Sequence, residues 1–213
     1  MRINKYLALK KISTRRGADD LVKAKNVFIN GKLAVLGSKV QETDKVEVRG
    51  QKQKEYLYYA YHKPIGIETA SPKGGLFPQG RLDKASHGLL ILTNDGRITD
   101  ALLNPKYFHE KEYVVKTKEK LRSSFKQKME EGVNIEGYVT KKCKVKIVDD
   151  FTFRITLAEG KKHQIRRMCS ALFQEVADLE RVRIMNIKLD NLKPNAVREI
   201  KGEELAVFLK PLL

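Results

Sequence analysis

Gly80-Arg81-Leu82-Asp83-Lys84-Ala85-Ser86-His87-Gly88-Leu89-Leu90-Ile91-Leu92-Thr93-Asn94-Asp95-Gly96 is the stretch around which this chain is organised. Leu89–Thr93 is an uncharged apolar run of strand length, and it reads as a strand buried on both faces. Asp95-Gly96 follows as a turn. Asp83 lies on the other side of the strand, in a charged loop that opens onto it. By residue type alone, a loop aspartate is first a turn former or cap and only second a catalyst. Ser86 and His87 are adjacent, so their side chains are poorly placed to act on each other as a hydrolase pair, and no nucleophile elbow surrounds Ser86.

Outward from this block the pattern is strand-rich. Leu57–Tyr61 is a further strand candidate, and Glu112–Thr117, Lys144–Val148, Thr152–Leu157 and Arg183–Leu189 alternate with period two, as half-buried antiparallel strands do. Tyr56, Tyr58, Tyr59 and Tyr61 read as mainly structural residues near a sheet edge, although bases stack on such platforms. Helical spacing appears at Leu121, Phe125 and Met129, ended by Gly132, and again at Ile165, Met168, Leu172 and Phe173. A last helix through Leu205–Leu209 stops at Pro211. The expected class is α+β: a mixed, mostly antiparallel sheet flanked by helices.

The first fifty residues read as a unit of their own. A helix over Ile3–Leu9, an N-cap at Ser13 and a second helix through Leu21-Val22 precede Val27-Phe28-Ile29. Asn30-Gly31 is a hairpin signal leading into Lys32–Val35, and Val46–Val48 closes the unit. Arg49–Glu55 contains no apolar residue and reads as a linker. The division expected is therefore 1–48, linker 49–55, and 56–213.

Charge narrows the function classes. The chain has 213 residues with 43 Lys+Arg against 26 Asp+Glu, a formal charge of +17, and is 41% hydrophobic, too apolar for a disordered chain. Between Arg2 and Lys25 eight basic residues (Arg2, Lys5, Lys10, Lys11, Arg15, Arg16, Lys23, Lys25) face only Asp19 and Asp20. Such an excess repels itself and implies an anionic partner. No membrane-surface helix pattern, lipidation motif or bilayer-length apolar run is present, so phosphate neutralisation by a folded basic module is the better reading. The N-terminus lacks an apolar signal core, and the expected compartment is the cytoplasm. Cys143 and Cys169 are too few and too far apart for a disulfide framework or structural zinc site. His62, His87, His109 and His163 lack the spacing of metal ligands, and no metal is expected. Walker and dinucleotide-type glycine loops are absent, and Gly74, Gly75 and Gly80 look like turn glycines.

The Gly80–Gly96 block resembles the signature of the RsuA/RluB/RluE/RluF family of pseudouridine synthases. Lys111-Glu112-Tyr113-Val114-Val115 is similar to the second motif of that family, and Gly160-Lys161-Lys162-His163-Gln164-Ile165-Arg166-Arg167-Met168 to the third. Leu179-Glu180-Arg181-Val182-Arg183-Ile184 follows at the expected distance. The N-terminal fifty residues resemble an S4 RNA-binding module, and Thr140–Val145 is most like the F-type branch, which modifies 23S ribosomal RNA. Four motifs in order are far more specific than any one. The chain ends without the long basic tail of F-type members, so the resemblance bears on the chemistry more closely than on the target.

The resemblance implies isomerisation of uridine to pseudouridine, in which atoms and redox state balance without a cofactor. It implies Asp83 as the carboxylate acting on sugar or base, in a dry pocket where desolvation would raise its pKa. Arg166 is implied as the guanidinium that holds Asp83 bidentately, and Tyr113 as the ring against the uracil. Ile165 would pack under that ring, and Arg81 would enter the stack vacated by a flipped base. Arg167 and the basic residues Arg2, Lys5, Arg15 and Arg16 are the further RNA-contact candidates. Without the resemblance, Tyr113 is a strand aromatic and Arg166 a surface arginine. The partner implied is structured RNA: 23S ribosomal RNA or an assembling large ribosomal particle, with 16S ribosomal RNA and tRNA as alternatives. A monomer is expected. A non-catalytic RNA-binding or ribosome-assembly protein is the competing class.

Overall fold

The computed structural model describes residues 1–50, 55–70 and 74–213. Most of the expected linker, residues 51–54, lies outside the described residues. The chain divides into two compact units. One comprises Met1–Leu57 with Asp95–Asp100 and Leu213, the other Tyr58–Asn94 with Ala101–Leu212.

In the first unit, α1 (Ile3–Leu9) and α2 (Arg15–Lys23) precede β1 (Val27–Ile29), β2 (Lys32–Leu33) and β3 (Val46–Val48). The α2 cap is Thr14 rather than the expected Ser13: Thr14 Oγ1 accepts from Gly17 N at 2.9 Å. At Ser13 the chain is still leaving α1, its amide directed at the Leu7 carbonyl, so the extended conformation of an N-cap is reached one residue later. Asn30 and Gly31 both take positive φ, 50° and 77°, which is the backbone of a type I′ hairpin turn. The sheet order is β2-β1-β3. Ile3, Leu7, Ala18, Val22, Val27, Ala34 and Val40 form its core.

The second unit is built on one large sheet. Its elements are β4 (Tyr58–Lys63), β5 (Phe77–Gln79), β6 (His87–Thr93), α3 (Thr99–Leu103), β7 (Lys111–Thr117), α4 (Phe125–Glu131), β8 (Asn134–Ile135), β9 (Tyr138–Val139), β10 (Lys144–Ile147), β11 (Thr152–Leu157), α5 (Gln164–Ala171), β12 (Val176–Ile184), β13 (Ile187–Lys188), β14 (Val197–Glu199) and α6 (Gly202–Leu209). The first residues of α3 fall in the other unit. The strand order is β10-β11-β7-β12-β6-β4-β14, with β13 beside β12 and β5 beside the far end of β6. Among the described residues every pairing in this sheet is antiparallel except that of β12 with β6. The parallel contact is short, joining Glu180 to His87 and Arg181 to Gly88.

One expectation is corrected here. The continuous strand expected over Arg183–Leu189 is a hairpin, because Met185 adopts a left-handed φ of 53° and turns β12 back into β13. The tyrosines of β4 lie near a sheet edge, as expected, one strand in from it: the edge strand β14 pairs outside them, Val197 opposite Tyr61 and Glu199 opposite Tyr59. That pairing is supplied from far along the chain, and no local pattern announces it. The main core is formed by Phe125 and Met129 of α4, Ile165, Met168 and Cys169 of α5, and Val115, Val145, Phe153, Ile155, Leu157 and Leu179 of the sheet. Helices α4 and α5 therefore cover one face of β10-β11-β7-β12. Among the described residues no helix is long and apolar enough to cross a membrane.

Candidate active site

The loop between β5 and β6 is held from Leu82 to Ser86. Leu82 N donates to Thr69 Oγ1 at 3.0 Å, and that hydroxyl donates to Leu82 O at 2.9 Å. Gly66 N donates to Lys84 O, and Ser86 N to Asp83 O. Lys63 is fully buried, and its ammonium donates to Ser86 O at 2.8 Å and Pro64 O at 2.9 Å. Burial pushes its pKa below the ordinary lysine range, with the charge of Asp83 opposing that shift. Asp83 thus sits on a short backbone segment whose carbonyls are claimed by fixed donors, the kind of rigidity a site needs to hold a side chain in one place.

Asp83 faces a cavity of about 750 Å³, within the range of ligand sites. Tyr113 of β7, Leu179 and Arg181 of β12 and Ile165 of α5 line it together with Arg81. Tyr113 and Arg181 are direct cross-strand partners, so both side chains reach the same face. Ile165 belongs to the core cluster against which Tyr113 packs. His163 Nδ1 lies 3.2 Å from Asp83 Oδ2. The Asp83 side chain is 36% exposed, so the carboxylate is open to solvent rather than in the dry pocket expected.

Arg166 is also differently placed from expectation. It does not grip the carboxylate: Nη2 donates to Ala85 O at 2.7 Å and Ser86 Oγ at 3.3 Å, and Nη1 to Val176 O at 3.3 Å. The guanidinium therefore ties α5 both to the start of β12 and to the loop residues that follow Asp83. Arg167 turns away altogether. It binds Ile135 O at 3.1 Å and Glu136 Oε2 at 2.7 Å in the β8–β9 turn, and does not line the cavity. Consecutive helix residues project about a quarter-turn apart, and only one of the pair can face the loop. In the other unit, Arg2, Lys5, Arg15 and Arg16 are all exposed.

Three charged residues of the cavity wall bear on its chemistry. Lys111 and Arg181 bring positive charge to it. Arg181 is buried, its Nε donating to Leu89 O at 2.7 Å, and its Nη2 has no hydrogen-bond partner among the described residues. Lys111 is half-buried, and burial, reinforced by the charge of Arg181, lowers its pKa to about 8. Both residues lie inside the family motifs, but no local signal separates a cavity lysine from a surface one. Glu159, also in the wall, is buried and accepts from Tyr138 Oη, Lys141 N and Gln164 Nε2, which anchors the entrance to α5.

The depressed Lys111 makes a stability prediction. Between pH 8 and the ordinary lysine range the unfolded chain still binds a proton that the folded chain has shed. Stability is therefore expected to rise with pH across that window relative to Lys111→Met. Urea melts of both chains at pH 7, 8 and 9 measure this, and parallel curves would contradict it.

Known proteins match this chain along nearly its whole length. A family model described as RNA pseudouridylate synthase matches residues 57–171, and an S4 domain model matches residues 1–46. The dual-specificity RNA pseudouridine synthase RluF of Escherichia coli K12 is 40% identical over 228 aligned positions, covering 99% of this chain and 79% of that protein. Ribosomal large subunit pseudouridine synthase B of Bacillus subtilis is 33% identical, covering 96% of this chain and 93% of that one. A crystal structure of a pseudouridylate synthase superposes with a TM-score of 0.73 at 27% identity, covering 97% of this chain and 98% of the other.

Proposed function

This chain belongs to the RNA pseudouridylate synthase family and is an RNA pseudouridine synthase, and from that premise we propose that Asp83 is its catalytic carboxylate and 23S ribosomal RNA its substrate. The observation carrying this reading is the convergence of Asp83 and Tyr113 on one cavity whose remaining charges are largely cationic.

The reaction breaks the N1–C1′ bond of a uridine, turns the uracil over and joins C5 to C1′. C5 loses its proton and N1 regains one, so nothing is oxidised or reduced. Asp83 acts on the sugar or base during bond cleavage. Tyr113 lies against the freed uracil, with its apolar ring supported by Ile165, and helps remove the C5 proton directly or through water. Lys111 and Arg181 supply positive potential for the phosphates of the flipped nucleotide. Uridine must leave its stack to reach Asp83, at a cost of a few kcal/mol, and Arg81 at the cavity wall is placed to enter the gap. The exposed basic residues of the first unit, Arg2, Lys5, Arg15 and Arg16, hold RNA through phosphates. Ribosomal RNA as the target is supported by the B. subtilis relative, whose name refers to the large ribosomal particle. The E. coli relative's name, dual-specificity, makes a second RNA class worth testing. This reading places the enzyme in the cytoplasm.

Arg166 is a positioning residue in this scheme, acting on Asp83 through Ala85 and Ser86. Arg166→Lys keeps the charge but cannot reach several acceptors in one plane. Turnover is expected to fall roughly 100-fold, as for a small misplacement of a reacting group, with RNA affinity within about twofold. Single-turnover rates and filter binding check this, and a normal rate would remove Arg166 from the scheme.

The substrate assignment is tested by tritium release from C5-labelled uridine in transcripts of 23S RNA, 16S RNA and tRNA. Release from 23S RNA is expected. Release only from another RNA would overturn the target while leaving the chemistry, and release from none would favour the binding-protein reading.

A further inference from the structure

The linear spacing of the histidines carries no metal signature, but the sheet brings two of them to one carboxylate. His62 on β4 pairs with Leu89 on β6, two residues beyond His87, and His87 pairs with Glu180 on β12. Directly paired residues share a face, as do residues two apart, so His62, His87 and Glu180 project from the same side. That side is opposite the Asp83 cavity, which takes the alternate β12 residues Leu179 and Arg181. His62 Nε2 lies 3.8 Å and His87 Nδ1 3.6 Å from Glu180 Oε1, and one ligand atom from each of the three residues falls within 4.8 Å of the others.

The outer nitrogens decide the chemistry. His62 Nδ1 is 2.7 Å from Leu192 O, an acceptor only, so it carries the proton and Nε2 bears the lone pair. His87 Nε2 is 3.0 and 3.1 Å from the two Asp178 carboxylate oxygens, which likewise leaves its Nδ1 as the lone-pair nitrogen. With both imidazoles neutral, three acceptors therefore converge with no donor between them. One is His62 Nε2, which is buried without a hydrogen-bond partner among the described residues, on a side chain only 7% exposed. Such an arrangement is completed by a cation at its centre, either a metal ion or a proton carried by one imidazole. A histidine ligand whose other nitrogen donates to a carboxylate or carbonyl is the usual supporting arrangement of metal sites, and here both histidines have it.

We propose that His62, His87 and Glu180 bind a divalent transition-metal ion of the zinc class on the back of the sheet, with Asp178 and the Leu192 carbonyl orienting the two imidazoles. Two imidazoles and a carboxylate suit zinc and leave a fourth position for water, which the partial exposure of His87 and Glu180 admits. Ligand atoms around tetrahedral zinc stand roughly 3.3 Å apart at bond lengths of about 2.0–2.1 Å, so closure requires side-chain movements of about an ångström. The ion clamps β4, β6 and β12 together, immediately behind the strand that the Asp83 loop enters.

The test is titration of the chelator-stripped full chain with Zn²⁺ against a competing chromophoric chelator, with Co²⁺ as a spectroscopic probe and Mg²⁺ as a hard-cation control. One equivalent of Zn²⁺ is expected to bind tightly, raise the melting temperature, and give Co²⁺ visible bands, while Mg²⁺ does neither. His62→Asn and Glu180→Gln are expected to weaken Zn²⁺ at least about 100-fold, and Asp178→Asn by roughly 10- to 100-fold. Glu180→Gln is isosteric and partly exposed, which keeps the test informative if the buried His62 variant fails to fold. Zn²⁺ affinity unchanged in Glu180→Gln, or no bound equivalent in wild type, would overturn the site and leave a shared proton as the cation.

Discussion

Asp83→Asn is expected to abolish uridine isomerisation, lowering the single-turnover rate by roughly 10⁴-fold or more, the scale on which removal of an essential reacting group is felt. The fold and RNA affinity should change little. Asn is the same shape, and the contacts that hold this loop are made by Thr69, Gly66, Lys63 and Arg166 to backbone atoms and Ser86, not to the Asp83 side chain. The His163 contact is lost only in its charged component. Both partners are partly exposed, and an exposed pair contributes at most about 1 kcal/mol. Tritium release beside filter binding and thermal melts separates the effects. A variant with more than a tenth of wild-type rate would exclude Asp83 as the reacting carboxylate. A variant that loses binding in parallel would mean that Asp83 holds RNA rather than transforms it.

Gly88→Ala should be a strongly destabilising single change in the second unit. Gly88 has φ of +104°, a conformation that costs an L-residue about 1–3 kcal/mol. A methyl group there would also stand 2.7 Å from Arg181 N, with Arg181 O closer still, inside van der Waals contact with the β12 backbone. Neither atom can yield without breaking the parallel contact that seats Arg181 beside β6. Strain and overpacking together are expected to cost about 4 kcal/mol, a large share of the roughly 5–15 kcal/mol by which a domain is ordinarily stable. Urea melts against wild type measure it, and a loss below about 1 kcal/mol would show that β12 can shift away.

Particular elements explain how far the sequence can be read. The S4 unit is legible because its signals are local: Asn30-Gly31 specifies its own turn, and α1 emerges at Ile3–Leu9. Ser13 misses its role by one residue because competing caps differ only in where the preceding helix lets go. Asp83 and Tyr113 stand out because each lies in a long ordered motif, and the fold brings both to one cavity. Arg166 is a neighbour of the Asp83 loop, as its motif implies, but through a different contact. A sequence reports which residues approach the loop, not whether a guanidinium ends on a carboxylate or a carbonyl.

What the sequence by itself determined is the α+β class, the basic N-terminal module, the family and the residues that carry its motifs, since all of these are written in periodicity, composition and order along the chain. Tertiary structure alone decided what depends on strands far apart in sequence becoming neighbours. It placed β14 outside β4, set Gly88 hard against the β12 backbone, brought Lys111 and Arg181 to the cavity wall, and set His62, His87 and Glu180 around one point. Each of these is a property of strand pairing, and pairing is fixed by the whole packed sheet rather than by any window of residues.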